Sequence, residues 1–79
     1  MAERDANLIS LALEGDELAF ERLYRQHAGR VKAYFLRSGF AAHDAEDRLQ
    51  EVFVRAFHSL HTFDASRGCA GTWLSAIAR

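Results

Sequence analysis

Asp44-Ala-Glu-Asp-Arg-Leu-Gln-Glu-Val-Phe-Val-Arg-Ala-Phe57 is the stretch on which the reading of this chain turns. Within it and just beyond, Leu49, Val52, Phe53, Ala56 and Leu60 recur at i, i+3, i+4, i+7 and i+11. That is the period of one buried face of an α-helix, and no strand alternation competes with it. The helix is expected to start near Asp44, where Asp44 and Asp47 stand as in a capping box, with Asp replacing the usual Glu or Gln. Acids in this first turn also complement the helix macrodipole. At about 100° per residue, Glu46, Gln50, Phe53 and Phe57 project in a narrow sector beside the buried stripe. Such a sector suits the docking of another helix, with the rings supplying buried area and the polar groups fixing register. On spacing alone, two core rings flanked by a solvated Glu46 and Gln50 remain the simpler reading.

Working outward, the segments on either side carry the same helical period. Leu8, Leu11 and Ala12 suggest a short first helix, with Gly15 as its stop. Asp16 then sits where an N-cap belongs. Phe20, Leu23, Tyr24, His27, Val31, Tyr34 and Phe35 form one stripe that runs unbroken through Ala28-Gly29. A continuous stripe predicts one helix from about 17 to 37, despite a glycine cost of roughly 1 kcal/mol. Ser38-Gly39 ends it. Ser59 to Gly71 reads as a turn and loop pinned by Phe63. A final helix is expected around Thr72, with Leu74, Ile77 and Ala78 in phase up to Arg79 and no stop signal, which reads as truncation. The expected fold is all-α: a small bundle of three helices plus a truncated fourth, in a single domain over residues 1–79.

Composition narrows the function classes. A chain of 79 residues buries only about 60% of the surface its unfolded form exposes, so its stability is small. The single cysteine, Cys69, cannot form an internal disulfide and fits a reducing compartment. No apolar run approaches the ~18 residues of a membrane span and no signal-peptide pattern is present, so no membrane insertion and a cytoplasmic location are expected. The formal charge of −1 is low for a domain that lives on phosphate contacts. The charge is uneven, however. Arg22, Arg25, Arg30, Lys32 and Arg37 occur without an acid between them, whereas Asp44, Glu46, Asp47 and Glu51 face only Arg48. One basic helix and one acidic helix start suit two partners of opposite character, or simply two solvated faces. His27 lies in the apolar stripe and reads as a packed core residue. The spacing of His43, His58, His61 and Cys69 matches no zinc module. No carboxylate has a nucleophile or phosphate loop to work with, so no catalytic residue, metal or cofactor is expected and the chain does not read as an enzyme.

Taken in order, Gly15-Asp-Glu-Leu-Ala-Phe-Glu-Arg-Leu-Tyr-Arg-Gln-His27, the Asp44–Phe57 stretch, Phe63-Asp-Ala-Ser-Arg-Gly68 and Thr72-Trp-Leu74 resemble region 2 of bacterial sigma factors of the extracytoplasmic-function (ECF) type. The resemblance implies a transcription-initiation domain. It implies that the acidic helix binds RNA polymerase core at the clamp helices of the β′ subunit. Asp47, Gln50, Glu51, Phe53 and Phe57 are then the contact candidates, and Glu46 joins them from the helical sector. It further implies that the loop and last helix recognise and melt the promoter −10 element, capturing a flipped base of the non-template strand. Ser66, Arg67, Thr72, Trp73, Ser75 and Arg79 are the candidates there: basic groups for phosphates, hydroxyls for base edges and a ring for stacking. Trp73 reads either as a core ring, the simpler option, or as a stacking platform. The chain departs from the family pattern at this point. Ala70 and Gly71 stand where relatives often carry an aromatic and a basic residue, and Ser75 and Ala76 stand where they often carry an aromatic and an arginine. An anti-sigma protein is a further implied partner. The alternative is a helical protein-interaction module, binding polymerase or an anti-sigma protein, without productive DNA binding.

Overall fold

The computed structural model describes the backbone of residues 2–79 and the side chains from Asn7 onward. Among the described residues the chain forms four helices and no strand: α1 (Ala2–Leu13), α2 (Glu17–Arg37), α3 (Ala42–His58) and α4 (Ala70–Ala78). Two 3₁₀ turns, Leu60–Thr62 and Ala65–Arg67, carry the chain from α3 to α4. The all-α bundle expected from the hydrophobic period is the fold observed.

The helix boundaries follow from local chemistry. Gly15 takes φ 99°, a conformation that costs a residue with a Cβ, and lets the amide of Asp16 reach back to the carbonyl of Leu11 at 3.0 Å. Asp16 then caps α2, its Oδ1 accepting from the amide of Ala19 at 3.2 Å. At the far end of α2, Gly39 repeats the same device at φ 99°, and the amide of Phe40 closes on the carbonyl of Phe35. The third helix differs from expectation: it begins at Ala42, with Ala41 as an N-cap that offers no side-chain hydrogen bond. Asp44 is thus already inside the first turn, where it pairs with His43 at 3.3 Å instead of forming a capping box. The last helix also begins two residues early. Ala70 is fully buried, and burying it against the bundle draws the first turn of α4 back from Thr72.

Two clusters of buried side chains hold the helices together. Val31 and Phe35 of α2, Leu49, Val52, Phe53 and Ala56 of α3, and Leu74 of α4 form the first. Leu8, Ile9 and Ala12 of α1, Ala19 and Leu23 of α2, Leu60 and Ala70 form the second. Phe20 and Trp73 are partly buried against both, so they tie the two clusters into one body. Two expected core residues turn outward. Leu11 is 42% exposed while Ile9 is 2% exposed, so the buried face of α1 includes Ile9 in place of Leu11. Both faces contain Leu8 and Ala12, and only the angle at which α1 meets α2 chooses between them. Tyr34 is 39% exposed and leaves the stripe that Val31 and Phe35 continue inward.

Gly29 lies mid-way along α2 with nothing within 4 Å of the position a Cβ would take. Gly29→Ala is therefore expected to stabilise the chain by about 1 kcal/mol through helix propensity alone. For a domain of this size that raises the melting temperature by roughly 4–8 °C, measurable by circular dichroism. An unchanged or lower melting temperature would show that this glycine has a packing role.

Candidate functional site

The edge of α3 that faces α2 carries an open aromatic groove of about 450 Å³. Its floor is Phe53, only 4% exposed. The ring of Phe53 is held edge-on by Tyr24 at 4.8 Å between centroids and by Phe20 at 6.3 Å. Phe57 packs edge-on against Phe20 at 5.3 Å, yet it remains 52% exposed. Edge-to-face pairs of this kind fix ring positions in advance, so Phe57 is presented to solvent by a rigid support. Val54, 57% exposed, lines the same groove, with Gln50 beside it and Glu17 and Glu21 on the α2 side. A half-exposed ring on a packed aromatic floor with a polar rim has the build of a protein-docking surface.

The six residues assigned to this surface do not all meet. Gln50, Phe53 and Phe57 line the groove, with Phe53 as support beneath the contact layer. Asp47 is exposed on the outward side of α3. Glu46 is turned toward α2 and bound to Lys32, Oε2 to Nζ at 2.7 Å. Glu51 lies about 100° around the helix from Gln50, where it pairs with Arg48 at 3.2 Å and approaches Arg55 at 3.9 Å. Val54 was missed because an apolar residue off the core stripe carries no signal by itself. Its place at i+4 from Gln50 and i−3 from Phe57 is the cue that would have found it. Phe20 and Tyr24 come from α2, and no spacing within α3 reveals them.

The second candidate region is the loop before α4. Asp64 organises it: Oδ1 accepts from the Ser66 amide at 2.9 Å and from the Ser66 hydroxyl at 2.6 Å. The Ser66 hydroxyl and amide hold the Asp64 carboxyl below its ordinary value of 3.8, with Arg67 assisting. Gly68, at φ 150°, then turns the chain into α4. Arg67, Thr72 and Trp73 line a shared hollow of about 260 Å³ with Phe63, Asp64 and Cys69. Trp73 is partly buried, packed edge-on to Phe63 at 5.6 Å, and its indole N–H donates to the Thr62 hydroxyl at 3.1 Å. Trp73 thus joins the core along one side and shows the hollow its other. Of the six residues assigned to DNA, Arg67, Thr72 and Trp73 converge. The Ser66 proton is committed to Asp64, and Ser75 and Arg79 lie on the side of α4 that faces α2.

Cys69 stands as the N-cap of α4, its thiol 3.5 Å from the Thr72 hydroxyl. That side-chain hydrogen bond, helped by the Thr72 and Gly71 amides, holds the thiol below its ordinary value of 9.0. A lower value means more thiolate at neutral pH. Thr72→Val is expected to move the inflection of the pH profile for iodoacetamide alkylation upward and to slow the reaction at neutral pH. An unmoved profile would exclude the hydrogen bond as its cause.

The family model described as sigma-70 region 2 matches residues 23–79. The chain is 39% identical over 64 residues to the ECF RNA polymerase sigma factor RpoE of Cereibacter sphaeroides, covering 81% of this chain and 35% of that protein. It is 39% identical over 77 residues to the ECF RNA polymerase sigma factor BldN of Streptomyces coelicolor, covering 96% and 29%. To the RNA polymerase sigma-H factor of Pseudomonas aeruginosa it is 32% identical over 78 residues, covering 96% and 39%. The chain therefore spans about a third of the length of these relatives. No solved structure matches it significantly, and no helix among the described residues is long and apolar enough to cross a membrane. The matched span takes in the aromatic edge of α3 and the loop into α4 alike, and on that match the chain belongs to the sigma-70 region 2 family, as a segment resembling the ECF sigma factors.

Proposed function

We propose that residues 1–79 form the region 2 domain of an ECF-type sigma factor, which docks on RNA polymerase core through α3 and engages the promoter −10 element through the loop and α4. The observation that carries the first half is Phe57, half-exposed on a preassembled aromatic floor and flanked by Gln50. The clamp helices of β′ are the proposed partner. Phe57 and Val54 supply the apolar contact, while Gln50 and Asp47 set the register. Glu46 and Glu51 act at one remove, since both are engaged in ion pairs within the chain.

The second half rests on the hollow that Arg67, Thr72 and Trp73 share. A base taken out of its stack can lie against the open side of the Trp73 ring and meet the Thr72 hydroxyl, with Arg67 near its phosphate. A cytoplasmic site of action and control by an anti-sigma protein covering the α3 edge belong to the same proposal. The test is a binding titration of this chain with RNA polymerase core and with an isolated clamp-helix fragment. The Gln50→Ala/Phe57→Ala variant is expected to lose affinity for both, and undiminished binding would remove the assigned surface.

One observation favours the protein-interaction alternative. The hydroxyl proton of Ser66 and the indole N–H of Trp73 are already donated within the chain, which thins the set of groups free to read bases. Fluorescence titration with a −10 non-template strand in the presence of core polymerase separates the two. A salt-insensitive or absent response would favour the interaction module.

A further inference from the structure

Thr62 stands between the end of α3 and the Trp73 indole and takes no part in the proposed DNA contacts. The turn that carries it is fixed from below. Leu60 is 4% exposed in the cluster it shares with α1 and α2, and this burial holds the 3₁₀ turn Leu60–Thr62 against the bundle. Thr62 then grips the Ser59 carbonyl twice: its amide donates at 2.8 Å and its hydroxyl at 2.6 Å. A threonine hydroxyl has one proton and two lone pairs. With the proton given to Ser59, the oxygen can only accept from a further partner. That partner is the indole N–H of Trp73 at 3.1 Å, a group that can only donate. Donor and acceptor roles are therefore fixed all along Ser59, Thr62 and Trp73. Rotation of a tryptophan ring about its second side-chain torsion is broad and roughly two-fold. The bond to Thr62 accepts one setting, because the opposite one carries the N–H away from the hydroxyl.

We infer that Thr62 is a positioning residue for Trp73: by holding the indole N–H it fixes which way the ring is turned in the hollow shared with Arg67 and Thr72. The inference rests on the proposed engagement of the −10 element by that hollow. A base that stacks on a ring meets its π-face and needs no hydrogen bond from it. Trp73 can therefore commit its N–H within the chain and still receive a base. A ring set in advance also spares the complex the entropy of ordering it. Thr62 lines the hollow as well, yet its amide proton and hydroxyl proton both go to Ser59. It acts on a bound strand through Trp73 and not by its own contact.

Trp73 is the one tryptophan of the chain, so a single indole N–H resonance in the nuclear magnetic resonance spectrum reports on the bond. Thr62→Val removes the hydroxyl at nearly constant shape, whereas Thr62→Ser keeps it. Thr62 is exposed, so both variants are expected to fold, which circular dichroism checks. Thr62→Val is expected to move the indole resonance upfield and to speed its exchange with solvent, while Thr62→Ser leaves it near the parent position. Binding is read by titrating a fluorescein-labelled −10 non-template strand in the presence of core polymerase. Thr62→Val is expected to weaken it roughly 2- to 10-fold, the range of one ordinary hydrogen bond, and Thr62→Ser to restore it. In a Trp73→Phe background, which keeps a ring without an N–H, Thr62→Val is expected to cause no further loss. An unmoved resonance, unchanged affinity in Thr62→Val, a loss that Thr62→Ser does not restore, or a further loss in the Trp73→Phe background would each overturn the role of Thr62. If the parent chain binds no strand even with core polymerase, the −10 reading falls and the role of Thr62 falls with it. If the parent binds and Thr62→Val binds equally well, that reading stands and Thr62 has no part in it.

Discussion

Leu23→Ala is expected to remove a large share of this chain's stability in water at ambient temperature. Leu23 is fully buried at the centre of the cluster that joins α1 to the start of α2, against Ile9, Leu60 and Ala70. Removing a buried leucine to its Cβ costs about 2–5 kcal/mol, most where the surroundings cannot collapse into the cavity. A domain of this length has a total stability of about 4–12 kcal/mol. The substitution therefore consumes between a sixth of that margin and all of it. The check is urea denaturation followed by circular dichroism. With a slope of about 1 kcal/mol per molar urea for so small a chain, the midpoint should fall by at least about 2 M. Leu18→Ala provides the contrast: Leu18 is 66% exposed, and its truncation should change stability by less than about 0.5 kcal/mol. Equal effects at the two positions would mean that α1 does not dock where it is described.

Phe57→Ala is expected to do the opposite, sparing the fold and weakening the partner. Half of the Phe57 ring is already in solvent, and the Phe20–Phe53–Tyr24 stack beneath it is complete without it. Binding is another matter. A central aromatic side chain at a protein interface commonly carries 2 kcal/mol or more, which corresponds to roughly a 30-fold weaker dissociation constant. Gln50→Ala added to Phe57→Ala should deepen that loss. Glu51→Ala should matter less, because Glu51 is engaged with Arg48 and Arg55 on the far flank of α3. Phe53→Ala is unsuited as a probe: at 4% exposure its loss costs about 3–5 kcal/mol of folding. It would abolish binding for the wrong reason. Titration against RNA polymerase core, with thermal melting of each variant alongside, separates these outcomes. Full affinity in the folded Phe57→Ala variant would show that the exposed ring has another purpose.

The two surfaces were not equally legible beforehand. The α3 edge was readable because helical phase is a one-dimensional property: residues 46, 50, 53 and 57 share a sector whatever surrounds them. Phase does not say which neighbour stands opposite. It therefore could not tell that Glu46 ends on Lys32, that Phe53 is floor and Phe57 half-exposed above it, or that Phe20 and Tyr24 complete the groove. The loop was harder still, since its residues follow no period. Asp64-Ala-Ser66 hides a side-chain-to-backbone turn, and Trp73 finds its partner eleven residues back at Thr62.

The sequence by itself determined the elements of this protein. The span of α2 from 17 to 37, the Asp16 cap, the glycine stops at 15 and 39 and the buried stripe of α3 all follow from contacts within a few residues along the chain. Where two answers satisfied the local rules, only the tertiary structure decided. Leu11 or Ile9 toward the core, Tyr34 in or out, α3 from Asp44 or from Ala42: each choice is set by what another helix brings against that position. Helical period is a property of one segment, whereas burial is a property of the space between segments.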